Sequence, residues 1–206
     1  MKVMFINGSP HEKGSTYTAM REVEKVLHGN GIDTQWVQVG KKPVAGCVAC
    51  GFCKKNGRCV FNDDVNMILE QIDQIDGFVV GSPVYYCGPS GQVRSFLDRL
   101  FFSGGAQFAG KVGAAVVSCR RGGAATAFDQ LNKYFSISNM PIATSQYWNQ
   151  IHGNNAEEAV QDVEGMQTMR TLGQNMVWML RCIEAGKRAG VPLPEYEPPT
   201  MMNFIH

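Results

Sequence analysis

Four cysteines within thirteen residues form the most informative stretch of the chain, Cys47-x2-Cys50-x2-Cys53-x5-Cys59. Three thiolates at a spacing of three on an irregular loop can bind one face of an iron–sulfur cubane. The fourth follows a turn at Gly57 and can complete the ligand set. The spacing therefore predicts a four-iron four-sulfur cluster bound by these cysteines.

Two other interpretations of the cysteine segment stay open. Structural zinc sites usually separate two cysteine pairs by a dozen or more residues, whereas here the separation is two, so zinc is a weaker alternative. Unligated or reversibly oxidised thiols are the other alternative. The neighbouring cations Lys54, Lys55 and Arg58 would stabilise thiolates or offset the negative charge of a cluster, unless they are simply solvated.

A second group of residues, Ser9, His11, Gly14, Ser15 and Thr16, forms a hydroxyl- and glycine-containing loop between a strand and a helix. Free backbone N–H groups and the helix dipole at such a position favour a phosphate. The loop is neither a Walker A nor a G-x-G-x-x-G sequence, so it suits a monophosphate such as that of FMN. The alternative is an ordinary helix start capped by Ser15 or Thr16, with His11 on the surface.

Two further loops carry the residue types that a flavin ring needs. Pro83, Val84, Tyr85 and Tyr86 offer a rigid turn with aromatic and apolar surface for a planar isoalloxazine. The second loop supplies backbone N–H groups and two arginines for the pyrimidine edge of a flavin or the phosphates of a nicotinamide nucleotide. Its residues are Ser118, Cys119, Arg120, Arg121, Gly122 and Gly123.

The hydrophobic pattern predicts the elements that position these loops. Strands are expected over 2–7, 34–39, 77–83, 111–119 and 141–147, and helices over 14–31, 63–75, 90–102, 124–137 and 156–188. This alternation is typical of a flavodoxin-like, doubly wound α/β domain: a five-stranded parallel sheet in the order 2-1-3-4-5, with helices on both faces. The loops after strands 1, 3 and 4 then meet at one edge of the sheet. We expect a single domain over 1–206, with 43–62 as a cysteine-rich insertion loop and 156–206 as a long helix followed by an extended tail.

Composition narrows the classes of function. The 206 residues are 44% hydrophobic and 18% charged with a net charge of +1, so the chain lacks the basic field that nucleic acid or an anionic membrane would need. The first ten residues hold an apolar run too short for a signal peptide or a membrane span, so we expect a cytoplasmic protein. No Ser-His-Asp or paired-carboxylate arrangement is evident, which argues against hydrolysis.

The end of the chain predicts self-association. The long helix over 156–188 is rich in methionine, and the tail is apolar at Met201, Met202, Phe204 and Ile205. Part of this region is expected to pack on a second subunit, giving a homo-oligomer, either a dimer or a tetramer. The alternative is that helix and tail fold back over their own sheet.

Three cysteines and one histidine stand apart from these motifs. Cys182 falls on the apolar side of the last predicted helix and is expected in the core. Cys87 and Cys119 lie in the predicted flavin loops, where contact with a substrate is an alternative to simple packing. His152 is expected near the pocket without a catalytic role.

Two spaced motifs, Ser9-Pro-x3-Gly14-Ser15-Thr16 and Ser82-Pro83-Val84-Tyr85-x4-Ser90-x7-Asp98-Arg99, resemble the flavodoxin-like NAD(P)H-dependent FMN reductases. The intervening cysteines are similar to those of the iron-sulfur flavoprotein branch, and the resemblance covers about residues 1–145. It implies that Ser9, Gly14, Ser15 and Thr16 hold the FMN phosphate. It also implies that residues 83–86 hold the ring, and that Ser118, Gly122 and Gly123 hold its pyrimidine side.

The resemblance implies an oxidoreductase that passes electrons from NADH or NADPH through FMN to an acceptor. With a cluster present, the acceptor would be a one-electron carrier such as a ferredoxin. Without one, it would be a small molecule: a quinone, a nitro or azo aromatic, or free flavin. A non-catalytic electron carrier or redox sensor is the alternative from another class. The sequence does not decide between NADH and NADPH, because it carries no acidic residue at a nucleotide fingerprint.

Overall fold

The computed structural model describes residues 1–202 and 204, and its centre is a twisted parallel sheet. The parallel strands are β1 (Lys2–Asn7), β2 (Asp33–Gln38), β3 (Gly77–Tyr85), β5 (Val112–Cys119) and β6 (Gln150–His152). They run in the order β2-β1-β3-β5-β6, and the two-residue strand β4 (Gly88–Pro89) pairs antiparallel with the end of β3. The predicted doubly wound sheet and its strand order are confirmed.

Helices cover both faces of this sheet. The helices are α1 (Ser15–Gly29), α2 (Phe52–Asn56), α3 (Asp64–Glu70), α4 (Gly91–Gly104), α5 (Ala124–Ile137), α6 (Ala156–Ala159) and α7 (Val163–Arg188). Side chains alternate along each strand, so Met4 and Ile6 face the layer of α3, α4 and α5, while Val3 and Phe5 face the layer of α1 and α7. Burial on both faces explains why the central strands consist mainly of apolar residues.

The predicted strand over 141–147 is wrong. Only Ile142 bridges to Gly113 there, and the outermost parallel strand is β6. Ala143 and Asn149 still bond to β5, but the chain turns to α7 directly after Ala143. There Ser145 Oγ donates to the carbonyl of Thr168 at 2.7 Å, and Asn175 donates to the carbonyl of residue 144.

The predicted single helix over 156–188 is two helices. Asp162 lies at the break, where its carboxylate accepts from the backbone N–H of Gly165 and starts α7 afresh. As a result, Val160 and Val163 are exposed. At 26 residues α7 is about 39 Å long.

The next residues to compare with the sequence predictions are Cys182 in α7 and the apolar residues of the tail. Cys182 is exposed, so its predicted place in the core is wrong. Met201, Met202 and Phe204 are also exposed, while Ile205 lies outside the described residues.

Within the described chain, the helices are all too short or too polar to cross a membrane.

Candidate functional site

The loop between β1 and α1 is held by two polar side chains at the ends of neighbouring strands. Asn7 is fully buried; its Oδ1 accepts from the N–H of Ser9 at 3.0 Å, and its Nδ2 donates to Gln38 Oε1 at 2.8 Å. Gln38 in turn donates to the carbonyl of Ser9, and Ser9 Oγ accepts from the N–H of His11 at 3.1 Å. This network fixes the loop before any ligand arrives.

Close backbone approach also shapes this loop. A Cβ at Gly40, just beyond β2, would lie 2.2–2.4 Å from backbone atoms of Gly8 and Ser9. A Cβ at Gly8 would lie 2.6 Å from Cβ of Val93 at the start of α4. The loop is therefore wedged between β2 and α4 at positions where only glycine fits.

The start of α1 presents its backbone donors to the same space. The N-cap is Gly14, so the alternative in which Ser15 or Thr16 caps the helix is wrong. Ser15 Oγ instead donates to the carbonyls of Gly153 and Asn155, and Thr16 Oγ1 lies 2.7 Å from Ser118 Oγ. The first N–H groups of a helix have no intrahelical acceptor, so this end of α1 can bind an anion through its backbone.

A cleft of about 640 Å³ opens at this edge of the sheet, within the range of small-molecule and cofactor sites. It brings together the predicted residues Ser9, His11, Gly14, Ser15, Thr16, Pro83, Val84, Tyr85 and Ser118. Cys119 and Arg120 also line it, as do Glu12, Lys13 and residues 153–157, which the sequence analysis missed. The sequence analysis missed residues 153–157 because it placed the last strand at 141–147, so it did not recognise that these residues follow a strand of the sheet.

Three predicted residues, Tyr86, Gly122 and Gly123, lie outside the described lining of this cleft. Tyr86 and Cys87 form the tip of the β3–β4 hairpin, with φ of 48° and 61°, and the Tyr86 ring is fully exposed. Gly123 begins α5 with φ 85°, and a Cβ there would lie 3.0 Å from Cα of Cys87. Gly123 thus packs against the hairpin tip.

The charges in the cleft are mixed. Lys13 and Arg120 bring positive charge to an anionic ligand, while Glu12 lies 3.4 Å from the amine of Lys41 beyond the rim. Burial raises the pKa of the Cys119 thiol, so this group stays protonated. His152 lies outside the described lining, where its Nδ1 is 3.3 Å from Asp162.

The cysteine segment wraps around a short helix. Cys53 lies in α2, between Gly51 (φ 70°) and Gly57 (φ 65°), whose left-handed backbone conformations favour glycine. Cys47 and Cys50 are exposed and Cys53 is half-buried. Cys59 is buried, and all four thiols line one pocket together with Arg99.

The donor chemistry of this pocket fits an iron–sulfur cluster. Four thiols are soft ligands, and the described lining holds no carboxylate or imidazole. Among residues 1–202 and 204, no three metal-binding side chains are grouped around the position of a single ion. A cubane binds each thiolate through a different iron and so spaces its ligands more widely. The enclosed space is only about 20 Å³, so a cluster would extend out of the pocket towards the exposed Cys47 and Cys50.

Comparison with known proteins adds a family and several relatives. The family model described as NADPH-dependent FMN reductase matches residues 1–155. An iron-sulfur flavoprotein of Methanocaldococcus jannaschii is 33% identical over 192 residues, covering 89% of this chain and 100% of the relative. An iron-sulfur flavoprotein of Methanosarcina thermophila is 30% identical over 192 residues, covering 91% and 99%.

Solved structures share the fold at low sequence identity. RosB with a bound intermediate superposes with a TM-score of 0.69 at 13% identity, covering 99% of this chain and 92% of that one. An archaeal flavodoxin gives 0.60 at 15% identity, covering 88% and 99%. The apo form of an NADH:FMN oxidoreductase gives 0.62 at 15% identity, covering 88% and 89%. These neighbours establish a flavodoxin-like fold.

Proposed function

This chain belongs to the NADPH-dependent FMN reductase family, and from that premise we propose that it passes electrons from NADH or NADPH, through FMN and a four-iron four-sulfur cluster, to an acceptor. The family predicted from the sequence is thereby confirmed. The chain is a flavoprotein oxidoreductase that uses FMN. The nicotinamide, the cluster and the acceptor are the proposed parts.

The observation that carries the proposal is the cleft at the start of α1. There the backbone N–H groups of Ser15 and Thr16, with the charge of Lys13, would hold the FMN phosphate. Pro83, Val84 and Tyr85 offer apolar and aromatic surface for the ring, and Ser118 would face its pyrimidine side. When bound, FMN supplies hydride acceptance and onward electron transfer.

The chain's own residues position the reactants and hold charge. Hydride and electron transfer need no acid or base from the protein, which agrees with a cleft whose buried thiol, Cys119, stays protonated. Arg120 at the exposed rim can bind a phosphate of the nicotinamide nucleotide. The half-exposed ring of Tyr85 can cover the flavin.

Cys47, Cys50, Cys53 and Cys59 would bind the cluster, which supplies one-electron transfer when present. Support comes from their common pocket and from the name iron-sulfur flavoprotein that the relatives carry. We propose a ferredoxin-like carrier as the acceptor. A small-molecule acceptor such as a quinone would replace it if the cluster is absent.

Anaerobic purification tests the proposal. The visible spectrum should show a flavin band with a broad charge-transfer shoulder, and the same sample should contain iron and acid-labile sulfide in equal amounts. Cys53→Ala should lose iron and keep flavin, whereas Cys182→Ala, at an exposed cysteine outside the pocket, should keep both. Flavin without iron would leave a cluster-free reductase, and absence of both would refute the proposal.

Turnover separates an enzyme from an electron carrier. NADH or NADPH added without oxygen should bleach the flavin fast enough to support steady turnover with an added acceptor. Reduction too slow for turnover would contradict the reductase and favour the carrier or sensor.

We also propose that the chain forms a homo-oligomer. Exposed apolar side chains lie on α7 at Trp178 and in the tail at Met201 and Phe204. Light scattering on the purified protein should give the mass of a dimer or tetramer. A monomeric mass would show that these surfaces stay unpaired.

A further inference from the structure

Arg99 is the largest fully buried side chain of the described residues, at 1% exposure, and it lies beside the cysteine pocket. Its Nε donates to Cys59 Sγ at 3.2 Å, across 40 residues of sequence. A further bond runs from its Nη1 to the carbonyl of Ala45, and the guanidinium carbon lies 4.8 Å from the ring centroid of Phe61. The guanidinium is thus fixed from three sides.

Cys59 is equally well fixed. Its backbone N–H donates to Asn66 Oδ1 at 2.8 Å, and its carbonyl accepts from Asn66 Nδ2 at 3.0 Å. Asn66 is itself buried in α3. Cys59 is therefore the anchored thiol of the four, while Cys47 and Cys50 lie on exposed loop.

Asp63 balances the charge of Arg99. Its two carboxylate oxygens accept from Nη1 and Nη2 of Arg99, both at 2.7 Å. An arginine guanidinium stays protonated over the whole pH range in which proteins are folded. The guanidinium is therefore a permanent positive charge at the pocket.

The cations next to the cysteines in the sequence do not supply a buried positive charge to the pocket. Lys54, Lys55 and Arg58 are exposed, and Arg58 donates to Asn62. Their charges are screened by water. Among the described residues of the pocket lining, Arg99 alone is cationic.

We propose that Arg99 and Asp63 set the reduction potential of the cluster through Cys59. This inference rests on the proposed function. Hydrogen bonds to ligand sulfur and the local net charge both tune such potentials. The bond and positive charge of Arg99 stabilise the reduced, more negative form and raise the potential, whereas Asp63 opposes this. Removing each partner should therefore shift the potential in opposite directions.

The test measures the midpoint potential of the cluster in anaerobically purified, iron-loaded protein, by redox titration followed through the electron paramagnetic resonance of the reduced cluster. Arg99→Met should lower the reduced-to-oxidised ratio at a fixed potential about tenfold, which is about 59 mV for one electron. Asp63→Asn should raise the potential, and Asn still caps α3. Arg94→Met, on the exposed side of the same helix, is the matched control and should leave it unchanged.

The outcomes separate this inference from the proposed function. If wild-type protein contains no iron and sulfide, both are overturned. If the variants hold a cluster whose potential matches wild type, or if both shift it the same way, the pair is merely structural and this inference alone is wrong. Should Arg99→Met fail to fold, Asp63→Asn decides by itself, since a potential that does not rise contradicts the inference.

Discussion

The side-chain oxygens of Thr16 and Ser118 lie 2.7 Å apart, although the first is at the start of α1 and the second near the end of β5. Both side chains are buried. A hydrogen bond shielded from water is costly to break, because the remaining partner is left unsatisfied. This bond links the start of α1, where we propose that the FMN phosphate binds, to the end of β5, which we propose faces the pyrimidine side of the flavin.

Thr16→Val should therefore weaken FMN binding. Valine keeps the shape of threonine but leaves the Ser118 hydroxyl unpaired, at a cost of about 1–3 kcal/mol. If about half of that appears in cofactor binding, the Kd for FMN rises about two- to tenfold. Fluorescence titration of the apoprotein with FMN measures it. The control is Thr18→Val, which removes a hydroxyl bonded only to the carbonyl of Gly14 within the helix; equal Kd values in the two variants would contradict the linking role.

Gly40→Ala should displace the loop between β1 and α1. A Cβ at this position would lie 2.2 Å from the carbonyl carbon of Ser9, and backbone cannot rotate away as a side chain can. We expect the variant to fold with a lowered Tm and to lose its flavin absorbance on gel filtration. Gly29→Ala, where a Cβ meets no atom within 4 Å, should keep its flavin. Full flavin content in Gly40→Ala would show that the loop tolerates the shift.

The sheet could be predicted from sequence because its strands carry their own signal. The run over 77–83 is apolar except for Ser82, as expected of a strand buried on both faces, and the helix over 124–137 was predicted to the residue. The three residues of β6 carry no hydrophobic pattern that marks a strand. They are a strand only because they pair with β5. The break before α7 could have been predicted from the sequence, because Asp162 is a good N-cap residue.

The residues of the candidate site likewise fall into those that a local sequence motif predicts and those that only distant contacts bring into place. Ser9, Gly14 and Thr16 belong to a local motif, so the sequence pointed to them. Asn7 and Gln38 hold the loop through a bond that exists only once β1 and β2 pair in register, and no local pattern announces it. Arg99 reaches Cys59 from a distant helix, so reasoning from sequence neighbours pointed to Lys54, Lys55 and Arg58 and missed Arg99.

Cys87→Gly should stabilise the protein. Tyr86 and Cys87 are the two central residues of the β3–β4 hairpin, and both have positive φ. Such a turn favours glycine, and a non-glycine residue there costs of order 1 kcal/mol. Because Cys87 is exposed, little packing is lost. Urea denaturation should show a higher midpoint. In the regular helix α7, Cys182→Gly should lower the midpoint, since glycine disfavours helix there; a lower midpoint for Cys87→Gly as well would contradict the strained turn.

Glu22 gives the interface between α1 and α7 a dependence on pH. Its carboxylate lies 2.8 Å from both Arg170 and Lys25. Burial alone would raise the pKa of Glu22, but the hydrogen bonds from Lys25 and Arg170 outweigh it and hold that pKa below its ordinary value of 4.5. A carboxyl whose pKa falls on folding stabilises the protein above its unfolded pKa, and that contribution is lost as the pH falls through the folded pKa.

Glu22→Gln should therefore lower the free energy of unfolding at pH 7 by about 0.5–1 kcal/mol, a modest value because both cations are partly exposed. The difference from wild type should shrink as the pH falls below 4.5 and should vanish below the folded pKa, where wild-type Glu22 is also neutral. Urea denaturation at pH 7 and at acid pH, each with and without added salt, measures this. Salt should reduce the difference at pH 7 by screening the ion pairs. A difference that is the same at both pH values would show that glutamine disturbs packing rather than charge.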